Sequence, residues 1–106
     1  MKINLKATNL EITASLKEYI ELKIGSLNKF VEKIENHGTE VLARVEVGRT
    51  TKHHNKGDVY RVEVNIDAPQ NILRIEEEGG DVRVILDFVH DKLKQLLVKY
   101  KERRES

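Results

Sequence analysis

The stretch DVRVILDFVHDKLKQLLVKY, residues 81–100, decides the fold. Its apolar residues recur at steps of three and four, and they are Val82, Ile85, Leu86, Val89, Leu93, Leu96, Leu97 and Tyr100. This spacing is typical of an amphipathic helix that buries one stripe over about five turns. Asp81, after two glycines, is a residue type that caps helix N-termini. We therefore predict a long helix that begins after Asp81 and packs one face against a core.

Upstream of this helix, four short segments alternate between apolar and polar residues. The alternation predicts strands over residues 2–7, 40–47, 59–68 and 72–77. Pro69, the only proline, follows the third of them. The polar segment 48–57 predicts a long, flexible hairpin loop between the second and third strands.

Another helical pattern lies between the first two strands. Thr13 can cap this helix, and apolar residues recur at helical spacing from Leu16 to Ile34. Gly25 weakens its middle by up to about 1 kcal/mol relative to alanine. Residues 36–38 (NHG) predict its end.

The resulting order, β-α-β-β-β-α, predicts a single α+β domain over residues 1–106. Each strand has one apolar face and each helix one apolar stripe, which favours a four-stranded mixed sheet with two helices packed on one face. If the first two strands are neighbours, the helix between them makes a right-handed crossover and the two strands run parallel.

Composition excludes several classes of protein. Hydrophobic residues make up 39% of the 106 residues, enough for one modest core despite a charged fraction of 35%. The absence of cysteine excludes disulfides, thiolate metal sites and a cysteine nucleophile. No apolar run approaches the length of a bilayer span, and the first residues alternate instead of forming a signal peptide. We expect a soluble cytoplasmic protein that does not bind membranes.

The residues offer no convergent catalytic or metal-binding set. Ser15 and Ser26 lie in a predicted helix without a nucleophile elbow, and residues 76–78 (EEE) resemble a solvated strand end. The adjacent His53 and His54 lack a metal-ligand spacing, even with His37 or His90 as further ligands. We therefore predict no enzyme activity, no metal and no cofactor.

The net charge of +1 hides a segregation of charge along the chain. Residues 92–104 carry six basic residues against Glu102, whereas residues 67–81 carry five acids against Arg74. On a helical wheel the cations of the last helix lie on two flanks of its apolar stripe, with Arg83, His90, Lys94 and Lys101 on one and Lys92, Lys99 and Arg103 on the other. Spaced cations of this kind suit the phosphates of structured RNA, although a solvated helix end has the same composition. Lys52 and Lys56 of the predicted loop could add phosphate contacts.

Two common RNA-binding modules do not fit this sequence. The outward faces of the first and third strands carry Lys2, Asn4, Lys6, Arg61, Glu63 and Asn65. They lack the stacking aromatics of an RNA-recognition motif, and the chain has no GxxG clamp.

The sequence resembles the ribosome hibernation promoting factor family, also described as ribosome-associated inhibitors or ribosomal subunit interface proteins. The resemblance covers essentially the whole chain and rests on an ordered set of segments: residues 9–13 (NLEIT), 53–57 (HHNKG), 60–63 (YRVE), 81–93 with Asp87, Asp91 and Lys92, and 99–101 (KYK). The chain departs from the family pattern at Arg83, where the family usually has an aromatic residue.

The resemblance implies a fold like that of double-stranded RNA-binding domains and contact with small-subunit ribosomal RNA between head and body. Occupation of the messenger and transfer RNA sites would block initiation during starvation or stationary phase. Because the chain ends at Ser106, we expect the short, monomeric form without the carboxyl-terminal dimerisation domain of long members. The predicted partners are the small ribosomal subunit and its RNA, not DNA.

Three other functional hypotheses remain open at this point. The chain could bind structured RNA of any origin, or it could be a regulatory module that binds protein through the acidic segment of residues 76–78 and Asp81. An enzyme is the third, and the absence of a convergent site disfavours it.

Overall fold

The computed structural model of the chain describes residues 1–35, 40–54 and 57–105, with residues 51–54 and 105 described by their backbone alone. Its elements, in chain order, are β1 (Lys2–Thr8), α1 (Ala14–Gly25), α2 (Asn28–Val31), β2 (Leu42–His54), β3 (Gly57–Ala68), β4 (Asn71–Gly79) and α3 (Val82–Glu105). The predicted α+β order is confirmed, with α2 as a one-turn continuation of the first helix. Among the described residues, no helix combines the length and the apolar character needed to cross a bilayer.

The four strands form one mixed sheet in the order β1-β2-β3-β4. β1 and β2 run parallel, with Leu5 opposite Val45, and the other two pairings are antiparallel. The helical segment between β1 and β2 makes the crossover that parallel neighbours require. The parallel pairing expected from the sequence is therefore confirmed.

The core lies between one face of the sheet and the helices. Val45, Val64 and Ile66 point from the sheet into a cluster that also holds the buried stripes of α1 and α3. In α3 the stripe includes Leu86 and Leu93, both fully buried. Two helices thus pack on one face of the sheet, as the period of their apolar residues predicts.

The prediction of one continuous helix from Thr13 to Ile34 is wrong at Ser26. There the backbone tightens: the Leu27 N–H donates to the Ile24 carbonyl oxygen at 3.0 Å, and the Ser26 hydroxyl donates to the Lys23 carbonyl oxygen at 2.6 Å. These i→i−3 bonds replace the helical pattern for one turn. Burial is unaffected, because Leu27 stays fully buried across the break. The predicted end of this helix, at residues 36–38, lies outside the described residues.

The prediction of a loop over residues 48–57 is also wrong for most of that segment. β2 continues to His54, with Arg49 opposite Tyr60 and His53 opposite Asp58 across a register shift. Backbone pairing needs no apolar side chain, and the threonines at 50 and 51 favour extended structure. Polarity therefore indicated exposure here, and not the absence of a strand.

Candidate nucleic-acid interface

The position of α3 on the sheet fixes where its charged side chains lie. Asp81 begins the helix, since its Oδ1 accepts from the backbone N–H of Arg83 at 2.9 Å and of Val84 at 3.4 Å. Burial of the stripe that includes Leu93 and Leu97 then sets the rotation of the helix. One flank faces α1 and α2, and the other faces β4.

Arg83 lies on the flank that faces α1. Its Nη2 donates to the Ser15 Oγ at 3.2 Å, and its guanidinium carbon lies 5.6 Å from the centroid of the Tyr19 ring. A guanidinium in this position gains a cation–π interaction and keeps other N–H groups available. Arg83 therefore packs against Tyr19 of α1. Position 83 is the one at which the family that the sequence resembles usually has an aromatic residue.

One helical turn after Arg83, Asp87 links α3 to α1 through one carboxylate oxygen. Its Oδ1 accepts from the Tyr19 hydroxyl at 2.5 Å and lies 3.1 Å from the Lys23 Nζ. The hydrogen bond from Tyr19, followed by that from Lys23, holds the pKa of Asp87 below its usual range. The same hydrogen bonds raise the pKa of Tyr19 and of Lys23. This network fixes α1 against α3 beneath the cations of this flank.

Further along the same flank, three lysines converge on one aromatic ring. The Nζ atoms of Lys29, Lys94 and Lys33 lie 5.3, 5.5 and 5.9 Å from the centroid of the Phe30 ring. We call these three residues the Phe30 lysine cluster. All three are exposed, and none makes an ion pair with another described residue. The ring attracts each ammonium group weakly, so three positive charges stay together and available to an anion.

Lys29 and Lys33 were missed by the sequence reasoning. They stand four residues apart, a spacing that places side chains on the same side of a helix. The signal was therefore present. The spacing alone could not show that Lys94 lies beside these two lysines, because that requires α2 to pack against α3.

The remaining cations of the predicted set are placed as follows. His90 is largely buried, with its Nδ1 3.0 Å from the Asp91 Oδ1. Lys101 is half-buried on the flank of Arg83, whereas Lys99 and Arg103 are exposed. Lys92 forms an ion pair with Glu77 of β4, which neutralises part of the other flank. Lys56 lies outside the described residues, as does the side chain of Lys52.

The outer face of the sheet carries charges that neutralise one another. Arg61 bonds Glu63 and Glu76 at 2.7 and 2.6 Å, and Arg74 bonds Glu76 at 2.7 Å. Hydrogen bonds from Arg61 lower the pKa of Glu76 and raise that of the Arg61 guanidinium. Among the described residues this face presents a ladder of ion pairs and no row of stacking aromatics, so it is unsuited to binding bases.

The part of the chain that the structure describes contains no cluster of three or more histidine or carboxylate residues with metal-binding geometry. His37 lies outside the described residues, as do the side chains of His53 and His54.

Comparison with known proteins places the chain in a family. It is 36% identical over 103 residues to the ribosome hibernation promotion factor of Lactococcus lactis. The aligned residues make up 97% of this chain and 51% of that relative. The chain is 31% identical over 99 residues to the factor of the same name from Deinococcus radiodurans, covering 93% of this chain and 48% of the relative. The chain thus spans about half the length of these curated relatives.

The fold and a family model agree with these relatives. The crystal structure of the N-terminal domain of Thermus thermophilus Protein Y matches 94% of this chain and 99% of that domain, with a TM-score of 0.73 and 27% identity. The model of the Sigma 54 modulation protein / S30EA ribosomal protein family matches residues 3–105. Because this match covers nearly the whole chain, the protein belongs to the Sigma 54 modulation protein / S30EA ribosomal protein family.

Proposed function

We propose that this protein binds the small ribosomal subunit at the messenger and transfer RNA sites and so inhibits translation under stress or in stationary phase. It acts in the cytoplasm as a monomer, by occupancy and without catalysis, and residues 1–106 form the ribosome-binding unit. The names of its relatives support ribosome hibernation as the setting. The observation that carries the proposal is the Phe30 lysine cluster, because three converging ammonium groups that form no ion pair with any described residue suit a phosphate backbone.

The proposed contact surface runs along the flank of α3 that faces α1 and α2. Arg83 lies at the amino-terminal end of this flank and the Phe30 lysine cluster lies further along, with Lys101 beyond it. Lys94 and Lys101 are seven residues apart, or about 10 Å along a helix axis. Cations distributed along the helix in this way can contact several phosphates of structured RNA, which positions the protein without reading bases.

The other flank contributes less in this proposal. Lys92 is already paired with Glu77, so a phosphate would have to compete with that carboxylate. Lys99 and Arg103 are exposed and extend the positive surface toward the end of α3. His90, Lys52 and Lys56 complete the proposed set as secondary contacts.

The test is co-sedimentation of the purified protein with small ribosomal subunits at rising salt, together with inhibition of translation in a cell-free system. Binding is expected to weaken steeply with salt because each neutralised phosphate releases counterions. A free RNA duplex in excess should compete poorly. Efficient competition by that duplex would support a general structured-RNA binder instead, and absent or salt-insensitive binding would remove the proposed mechanism.

A further inference from the structure

An apolar pair on α3 lies away from the proposed RNA surface. Phe88 and Val84 are 61% and 52% exposed and lie one turn apart. The other large exposed apolar residues of the described chain lie singly, with Leu22 on α1, Ile72 on β4 and Val98 ten residues beyond Phe88. Single exposed apolar residues need no explanation, whereas an adjacent pair beside a recess points to a contact surface.

The recess lies between this pair and the end of β4. It has a volume of about 490 Å³, with Gly79 and Gly80 along one side and Phe88, Val84 and the edge of Ile85 along the other. Neither glycine carries a side chain to fill it, and a Cβ added at Gly80 would meet no atom within 4 Å. One bulky apolar side chain from a partner can therefore enter against Phe88 and Val84.

The rim of the recess is acidic. Glu77, Glu78 and Asp81 line it together with Lys92, so its formal charge is −2. Lys92 is engaged by Glu77, while Glu78 is exposed and makes no ion pair with another described residue. Phosphates would be repelled here, whereas lysine or arginine side chains would be attracted. Charge complementarity thus favours a basic protein segment over RNA.

We propose that this recess docks a basic protein segment of the ribosome, in which one bulky apolar side chain is flanked by lysine or arginine. The inference rests on the proposed function, since a protein segment that lies against ribosomal RNA must carry lysine or arginine to neutralise its phosphates. Phe88 lies about 120° around the helix axis from Lys94, so the recess does not overlap the flank of α3 that faces α1 and α2. Lys92 lines the recess, but its ion pair with Glu77 already makes it a minor phosphate contact. One helix then contacts RNA on one side and protein on the other.

The first experiment is site-specific photocrosslinking of the full chain bound to purified small subunits. p-Benzoylphenylalanine replaces Phe88, and in a matched control it replaces Leu22, which is 70% exposed on α1 outside the recess. We expect position 88 to crosslink to one ribosomal protein, in a product that survives nuclease, and position 22 not to give that product. Crosslinks to RNA or to a second copy, or no crosslink in a sedimenting complex, would overturn the recess proposal while leaving ribosome binding intact.

A second measurement separates this surface from the phosphate contacts. Phe88→Ser should weaken subunit binding by about tenfold, a usual loss for a buried aromatic contact, without changing the slope of affinity against salt. Leu22→Ser should leave both unchanged. An unaltered affinity for Phe88→Ser, or a reduced salt slope, would refute the assignment. If the wild-type protein fails to co-sediment at all, the proposed function falls and this inference falls with it.

Discussion

Replacement of the Phe30 lysine cluster by glutamine gives a quantitative test of phosphate binding. Lys29, Lys33 and Lys94 are exposed and contact one ring, so Lys→Gln at all three removes three charges without opening the core. Each lost cation–π contact costs roughly 0.5–1 kcal/mol, and relief of repulsion among the three charges offsets part of that loss. The fold should therefore persist, which circular dichroism can check.

The expected change is in the salt dependence of binding to small ribosomal subunits. Each cation that neutralises a phosphate contributes about 0.9 to the slope of log affinity against log salt, so three cations contribute about 2.7. Between about 50 and 200 mM salt, a fourfold change, the wild-type protein should lose roughly 40-fold more affinity than the variant. Filter binding or co-sedimentation across that range measures both slopes.

A matched triple variant shows whether position or total charge matters. Lys2, Lys6 and Lys17 are also exposed, but the first two lie on the outer face of the sheet and Lys17 pairs with Glu21. Lys→Gln at these three positions changes the net charge by the same amount and should leave the slope close to wild type. Equal slopes for the cluster variant and the wild type, or an equal reduction in both variants, would refute the reasoning.

Three further changes test the fold beneath this surface, each by thermal or urea unfolding. Asp87→Asn should lower the free energy of unfolding by about 1 kcal/mol at pH 7, a value discounted because the carboxylate is half exposed. The folded pKa of Asp87 is depressed, so the native carboxylate stabilises the fold above its unfolded pKa and loses that effect as the pH falls through the folded pKa. The difference in stability between the two proteins should therefore shrink as the pH falls, and a difference that stays constant with pH would contradict the assignment. Leu93→Ala should cost about 2–5 kcal/mol because the side chain is fully buried, and a loss below about 1 kcal/mol would place the core elsewhere. Gly79→Ala should lower the stability of the fold because the new Cβ would lie 3.1 Å from the Ile85 Cγ1. Gly80→Ala is the control, since a Cβ there would have open space. Equal unfolding midpoints for the two variants would show that the end of β4 accommodates the Cβ without loss of stability.

The sequence by itself determined the elements and their order. The spacing of Leu86, Leu93 and Leu97 identifies the long helix, and Asp81 marks its beginning, because helical period and capping are local properties of the chain. Alternation identified the strands, and their one-sided apolar faces implied two helices on one side of a sheet. Local pattern failed at Ser26, where a hydroxyl bond to a nearby carbonyl interrupts the helix, and in residues 48–54, where pairing persists without apolar side chains.

Only the tertiary structure decided which charges meet. Lys92 is neutralised by Glu77, fifteen residues away, and Lys94 joins Lys29 and Lys33 across more than sixty residues of sequence. A helical wheel gives the direction in which a side chain points from the helix axis, but not which residues of other elements it contacts. That depends on how each helix sits on the sheet, which is set by packing of the buried stripes and not by the charged residues themselves. The basic character of α3 could therefore be read from its sequence, whereas the Phe30 lysine cluster exists only because α2 and α3 share one core.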